Sequence, residues 1–197
     1  MIDLVYQEER FKNHVAKFTD YGNIKILDFQ EPGRIDYRIR FLFEEDFYRL
    51  HISGDLGELI ACNYENMTYE GMKDFVNNPY YFEEKIRCHN RRLYSYDKEK
   101  AEEELKKEFE EEGSFVDDNY CDTWEEAVEC KIREILWDFD SYSGLGSEGY
   151  EVLDKMNLDA ASFTGLGKER TGIIELYLLA FRLAQEDLKR QEKEDAK

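Results

Sequence analysis

Between Ile35 and Cys62 the chain reads IDYRIRFLFEEDFYRLHISGDLGELIAC, and this stretch limits the possible folds more than any other. Ile35, Tyr37, Ile39, Phe41 and Phe43 alternate with Asp36, Arg38 and Arg40. Successive side chains of a strand point to opposite faces of a sheet, so this period of two predicts a strand with one face in the core. Phe47 to Ser53 predicts a second strand, with Tyr48, Leu50 and Ile52 on one face and Arg49 and His51 on the other. Gly54-Asp55-Leu56-Gly57 supplies the positive-φ positions of a tight or bulged hairpin, and Leu59 to Cys62 returns as another strand. Three strands joined by short turns make an antiparallel meander.

The flanking segments carry helical spacing. Leu4, Phe11, Val15 and Phe18 predict an N-terminal helix over Leu4–Phe18, followed by a first strand over Asn23–Phe29. After the sheet, Thr68 and Asn78-Pro79 are helix starts, the second with proline at the first helical position. Phe82, Ile86 and Leu93 extend an apolar stripe past Cys88 and His89. Asp97 to Glu112 predicts a charged helix with Ala101, Leu105 and Phe109 as a thin apolar seam. On it, Glu102 with Lys106 and Glu103 with Lys107 are i,i+4 pairs worth about 0.3 kcal/mol each. Thr123-Trp124-Glu125-Glu126 has capping-box form and opens an amphipathic helix through Val128, Ile132, Ile135, Leu136 and Phe139. Two glycine-bearing stretches, Ser141–Gly149 and Thr164–Gly172, lack the order of a phosphate-cradling loop and read as connectors on either side of a short helix. A last helix from Gly172 to about Lys193 is apolar enough at its start to dock centrally. The expectation is an α+β fold: an N-terminal helix, an antiparallel meander of about four strands, then a helical half. It forms a single domain over 1–197, with conceivable sub-lobes at 1–66 and 67–197.

Composition narrows function by exclusion. A 42% hydrophobic and 15% aromatic content suits a folded core despite 37% charged residues. The longest apolar run, Ile173–Ala184, is interrupted by Glu175 and Arg182, and MIDLVYQEERFK lacks a basic region followed by an apolar core, so a cytoplasmic protein is expected. A net charge of −19 and a pI near 4.6 repel nucleic acid and anionic membrane and attract basic partners.

No motif for nucleophilic or acid–base catalysis stands out, so a non-enzyme is expected. No cofactor is required by the sequence. Cys88, His89, Cys121 and Cys130 are the candidate ligands of a structural zinc ion, if the fold gathers them tetrahedrally. Asp117, Asp118, Asp122, Asp138 and Asp140 could be arranged around Mg²⁺, although no spacing favours them. The charge itself is concentrated: Asp97 to Asp140 holds 18 Asp/Glu against 6 Lys/Arg, a net of −12. Duplex DNA carries one negative charge per roughly 1.7 Å of axis, and closely spaced carboxylates on helices can present a comparable field to a channel built for nucleic acid. Glu103, Glu104, Glu108, Glu111, Asp117, Asp118, Asp122 and Glu125 are the candidate contacts, with Trp124 as an apolar anchor beside Phe115 and Tyr120.

The stretch FYRLHISGDLGELIACNYENMTYEGMKDFVNNPYYFEEKIRC, Phe47 to Cys88, resembles small proteins carried by phages and mobile elements of Gram-positive bacteria, with RLHISGDLGE carrying most of the likeness. Some proteins of that kind are anti-CRISPR inhibitors of type II-A Cas9. The resemblance implies a stoichiometric inhibitor that binds Cas9 or its guide complex and blocks guide or target DNA, without binding nucleic acid or membrane itself. Two other readings stand beside it: a metal-dependent enzyme using the Asp, Cys and His residues, and an acidic housekeeping interaction module.

Overall fold

The computed structural model describes residues 2–112 and 123–196, with residues 111 and 112 described by backbone alone. In chain order the first elements are α1 (Leu4–Phe11), β1 (Val15–Asp20), β2 (Ile24–Gln30), β3 (Ile39–Glu44), β4 (Arg49–Gly54), β5 (Leu59–Cys62), α2 (Lys73–Val76), α3 (Pro79–Glu83) and β6 (Ile86–His89). They are followed by β7 (Tyr94–Tyr96), α4 (Lys98–Glu112), α5 (Trp124–Ile135), α6 (Ser147–Lys155), β8 (Lys168–Arg170) and the long α7 (Ile173–Asp195). The fold is α+β. The chain divides into two compact units, the first formed by 1–93 with 172–197 and the second by 94–171.

The first unit is an antiparallel sheet in the order β1-β2-β3-β4-β5-β6. Alternation sorts its side chains as the sequence demands. Phe41 stands across from Leu27 and Ile52, and Phe43 across from Leu50, all buried. α7 covers this face together with α1, α2 and α3. Phe181 of α7 meets Phe41 edge-on at 5.2 Å, an arrangement the ring quadrupoles favour.

Gly54, at φ +134, ends the register of the β3–β4 pair opposite Ile39, where a side chain would run into the Arg38 carbonyl, so only glycine fits. The hairpin after it is tied down from α7: the buried Tyr177 hydroxyl donates to the Leu56 carbonyl at 3.2 Å, which also accepts from Arg91 Nε. Burial pushes the Tyr177 phenol up to about 12.

Several expectations are corrected. The N-terminal helix stops at Phe11 and Val15–Asp20 is a strand, because His14 turns inward and its Nε2 donates to the Tyr37 carbonyl at 2.9 Å. The Asn23–Phe29 strand is therefore the second of the sheet. Ile35 and Tyr37 lie outside β3: Ile35 is 81% exposed, and Tyr37 sits at φ 64 with the Arg10 guanidinium 4.0 Å above its ring. Phe47 belongs to a short 3-10 turn over Glu45–Phe47 and Tyr48 is left-handed at φ 47, so β4 begins at Arg49. The helix capped by Asn78 ends at Glu83, and Ile86–His89 pairs with β5 instead. The Thr164–Gly172 stretch is more than a connector, since Lys168–Arg170 pairs antiparallel with Tyr94–Tyr96.

The second unit has its own core. Ala101, Leu105 and Phe109 of α4 are fully buried with Val128, Ile132 and Ile135 of α5 and with Val152 and Leu153 of α6. Thr123 caps α5 by accepting from the Glu126 N–H at 3.2 Å. Among the described residues, no helix is long and apolar enough to cross a membrane.

Two stability effects follow. Asp187, buried on α7, accepts from the Ala16 N–H of β1 at 2.8 Å and from Gln191, and pairs with Arg190. Asp187→Ala leaves a buried N–H without its acceptor and is expected to cost about 2 kcal/mol, read as a lower urea midpoint. The raised Tyr177 phenol makes its contribution fully available below pH 10 and withdraws it as pH climbs from 10 towards 12. Tyr177→Phe is expected to cost about 1 kcal/mol at pH 7 and to flatten the alkaline loss of stability in a pH series of urea melts.

Candidate functional site

α4 and α5 set out the acidic surface of the second unit. On α4 the positions that face the core, Ala101, Leu105 and Phe109, fall every fourth residue, which turns Glu99, Glu103, Glu104 and Glu110 out to solvent. On α5 the buried set is Ala127, Val128, Ile132 and Ile135, and Glu125, Glu126, Glu129 and Glu134 are exposed. Over the whole second unit, 94–171, there are 23 Asp/Glu and 9 Lys/Arg, a net of −14, while the first unit carries −5 over 119 residues.

The residues expected to meet a partner divide by local role. Glu103 and Glu125 are exposed, Glu108 is half-buried and Trp124 stands exposed at the start of α5. Glu104 has structural work: its Oε2 accepts from the Gly167 N–H at 2.7 Å, with Lys100 4.0 Å away. The side chain of Glu111, together with Asp117, Asp118, Asp122, Phe115 and Tyr120, lies outside the described residues. Trp137, 76% exposed just after α5, is an aromatic group on this surface that the sequence reading passed over. Its place at the end of an amphipathic helix, flanked by Leu136 and Asp138, was the available signal.

Carboxylates considered for metal chemistry are used as backbone acceptors. Asp138 takes the N–H groups of Glu148 and Gly149 at 2.9 and 3.2 Å and so caps α6, and it fills the space a side chain at Gly146 would need. Asp140 accepts from Tyr142 N–H at 2.7 Å and from Ser143 N–H at 3.2 Å. Of the proposed zinc ligands, Cys88 and His89 are neighbours on β6 and point to opposite sides of it, and His89 Nδ1 bonds the Arg91 carbonyl at 2.7 Å. Cys130 is exposed on α5, and Cys121 lies outside the described residues. Among the described residues, no group of three or more His, Cys, Asp and Glu gathers as a metal site.

The first unit has a concave feature of its own. On the face of the sheet opposite α7, Ile26, Leu42, His51, Ile60 and Cys88 stand in one cross-strand row. Part of this face forms a groove of about 700 Å³ bounded by Arg40, Ser53, Glu58, His89 and Asn90. Glu44 lies at its margin with His51 Nε2 at 3.0 Å and Arg49 Nη1 at 3.3 Å, and Arg40 grips Asp28 through two nitrogens at 2.6 and 2.9 Å. These polar groups satisfy one another. The grouping of Glu44 with Arg49 and His51 crosses the β3–β4 connection and was not singled out from sequence.

Surface and seam are separable by mutation. Phe109→Ala is expected to cost about 3 kcal/mol through the cavity it leaves, lowering the urea midpoint of the second unit's helical signal. Glu103→Gln with Glu129→Gln is expected to stay within about 0.5 kcal/mol of the parent in the same melt. No family model, curated protein or solved structure matches the chain.

Proposed function

We propose that the protein is a stoichiometric inhibitor of phage type, which binds a basic nucleic-acid-handling protein and mimics the charge of DNA in its channel. Cas9 is the target that the resemblance of Phe47–Cys88 selects. The observation that carries this reading is the arrangement of α4 and α5. Their apolar seams are consumed by the second unit's own core, and the carboxylates that remain are displayed to solvent on folded helices. Fixed helices hold charges at set spacing, so a complementary basic channel gains attraction without ordering a floppy acidic tail. Trp124 and Trp137, exposed among those charges, supply the apolar contact that turns long-range attraction into a specific complex.

The metal-dependent alternative draws less support, because Asp138 and Asp140 spend their oxygens on helix and turn N–H groups. An interaction module aimed at a partner with no basic channel predicts binding with little dependence on salt.

The test is binding of the purified protein to Cas9, with and without guide RNA, followed by DNA cleavage at rising inhibitor. The expected result is loss of cleavage at a one-to-one ratio and an affinity that falls as salt rises. Reversing Glu103, Glu110, Glu125 and Glu129 to lysine is expected to weaken binding at least tenfold, with the circular dichroism spectrum unchanged. Glu104 is left out because it supports Gly167. Undiminished binding by the reversed variant would remove the charge argument, and absence of any complex would remove Cas9 as the target.

A further inference from the structure

The antiparallel order of the sheet brings three connections to one end: the turn after β1, the 3-10 turn between β3 and β4, and the segment after β5. They are bonded to one another. The Glu45 N–H donates to the Asn23 carbonyl at 2.8 Å, Asn23 Nδ2 to Asp46 at 3.1 Å, and the Asn63 N–H to the Tyr48 carbonyl at 3.1 Å. This end therefore holds its shape through backbone bonds, and it displays aromatic side chains. Tyr21 is 68% exposed, Phe47 65% and Tyr64 87%, with Tyr48 beside them.

Such exposure has a local cause. Tyr48 takes the left-handed conformation at φ 47, which is unfavourable for a bulky side chain and sets the preceding 3-10 turn with Phe47 outward. The charges interleaved with these rings are acidic: Asp20 at the end of β1, Asp46 in the 3-10 turn and Glu65 after β5 are exposed. One cation already approaches these rings, since the Arg49 guanidinium lies 5.7 Å from the Phe47 ring centroid. A guanidinium also lies over a ring at Tyr37, where Arg10 stands 4.0 Å from the centroid. The ammonium groups of Lys85 and Lys168 sit over Tyr81 and Tyr94 as point charges, without the planar stacking a guanidinium adds.

We infer that this end of the sheet is a docking surface for an arginine-bearing protein segment. Aromatic faces take guanidinium groups by stacking and cation–π attraction, and adjacent carboxylates take the same groups by paired hydrogen bonds. A lysine ammonium gains the charge attraction without the planar stacking, so the surface distinguishes arginine from lysine. The acidic helices of the second unit offer charge alone over most of their area. This surface needs neither those helices nor the inhibitor reading, and it gives the first unit a recognition role of its own.

The experiment is titration of the full-length protein with a nine-residue arginine peptide and a nine-residue lysine peptide at 0.15 M salt, read by fluorescence anisotropy. The same titrations are followed on the amide signals of ¹⁵N-labelled protein. The arginine peptide is expected to bind at least fivefold tighter, with the amides of Tyr21, Phe47, Tyr48 and Tyr64 shifting most. The variant Tyr21→Ser, Phe47→Ser, Tyr64→Ser is expected to lose that preference while retaining binding of the lysine peptide. The lysine-reversed α4–α5 variant is expected to keep the preference. Equal affinity for the two peptides, or a preference that survives the triple variant with its amide pattern intact, would overturn the assignment. Should the triple variant fail to fold, shifts of the parent protein confined to α4 and α5 would overturn it equally.

Discussion

The contact between Phe181 and the Phe41–Phe43 pair is the one on which the first unit depends. Phe181 lies edge-on to both rings, at 5.2 and 6.0 Å, and it belongs to α7, at 23 residues the longest helix of the first unit among the described residues. A sheet with one apolar face is unstable until that face is covered. α1, α2 and α3 are eight residues or fewer each, too short to do so alone. The covering helix arrives only after the whole second unit has been inserted into the chain. Contacts of such sequence separation form late, because loop closure precedes the gain from burial. The same helix also fixes the β4–β5 hairpin through Tyr177 and the β1 edge through Asp187. Three local features thus share one dependence.

Both edges of the sheet are managed, and differently. On β1 the outward N–H and carbonyl of Ala16 are taken by Asp187 and Gln191, so a side-chain pair on α7 stands where another strand would bind. On β6 no such cap is found among the described residues. The strand is four residues long, its register against β5 shifts between Ile60 and Ala61, and Arg87 and His89 are exposed along it. Shortness, irregularity and charge are the means by which edges avoid pairing with a second chain. The basic side chains of this otherwise acidic protein therefore have a structural reason on β6, and a ligand is not needed to account for them.

Where the sequence was legible, the signal was period and cap. The β3–β5 meander, the Asn78-Pro79 start, the Thr123 cap and the last helix each rest on a local pattern that the fold kept, although β3 and β4 begin later than the alternation implied, at Ile39 and Arg49. Failures came where one apolar spacing suits two structures. Leu4, Phe11, Val15 and Phe18 satisfy a helix, but Val15–Asp20 also alternates, and Gly22-Asn23 between two short alternating runs is a hairpin signal that the helical reading overlooked. Pairing with β2 decided the matter. Phe82, Ile86 and Leu93 were ambiguous in the same way, and the free side of β5 drew Ile86–His89 into the sheet. The candidate surface was legible in part. Its carboxylates follow from composition and the helical period, whereas the groups that turned out to be structural, Glu104, Asp138 and Asp140, are recognised only from the N–H groups they meet.

That distinction bears on how the net charge is interpreted. A small domain gains solubility from a net charge of about 2 to 8 in magnitude, and the first unit, at −5, lies in that range. The second unit carries −14 in 78 residues, beyond what solubility asks and with a self-repulsion that opposes folding. Its fold tolerates the excess because an apolar core sits beneath the charged helices and because Asp138, Asp140 and Glu104 each accept from N–H donors. Charge held against its own repulsion on rigid helices lowers its energy on meeting a basic surface, and the gain is larger the more densely it is held. The same density that makes the second unit costly to fold is what the proposed complex with a basic partner would draw on.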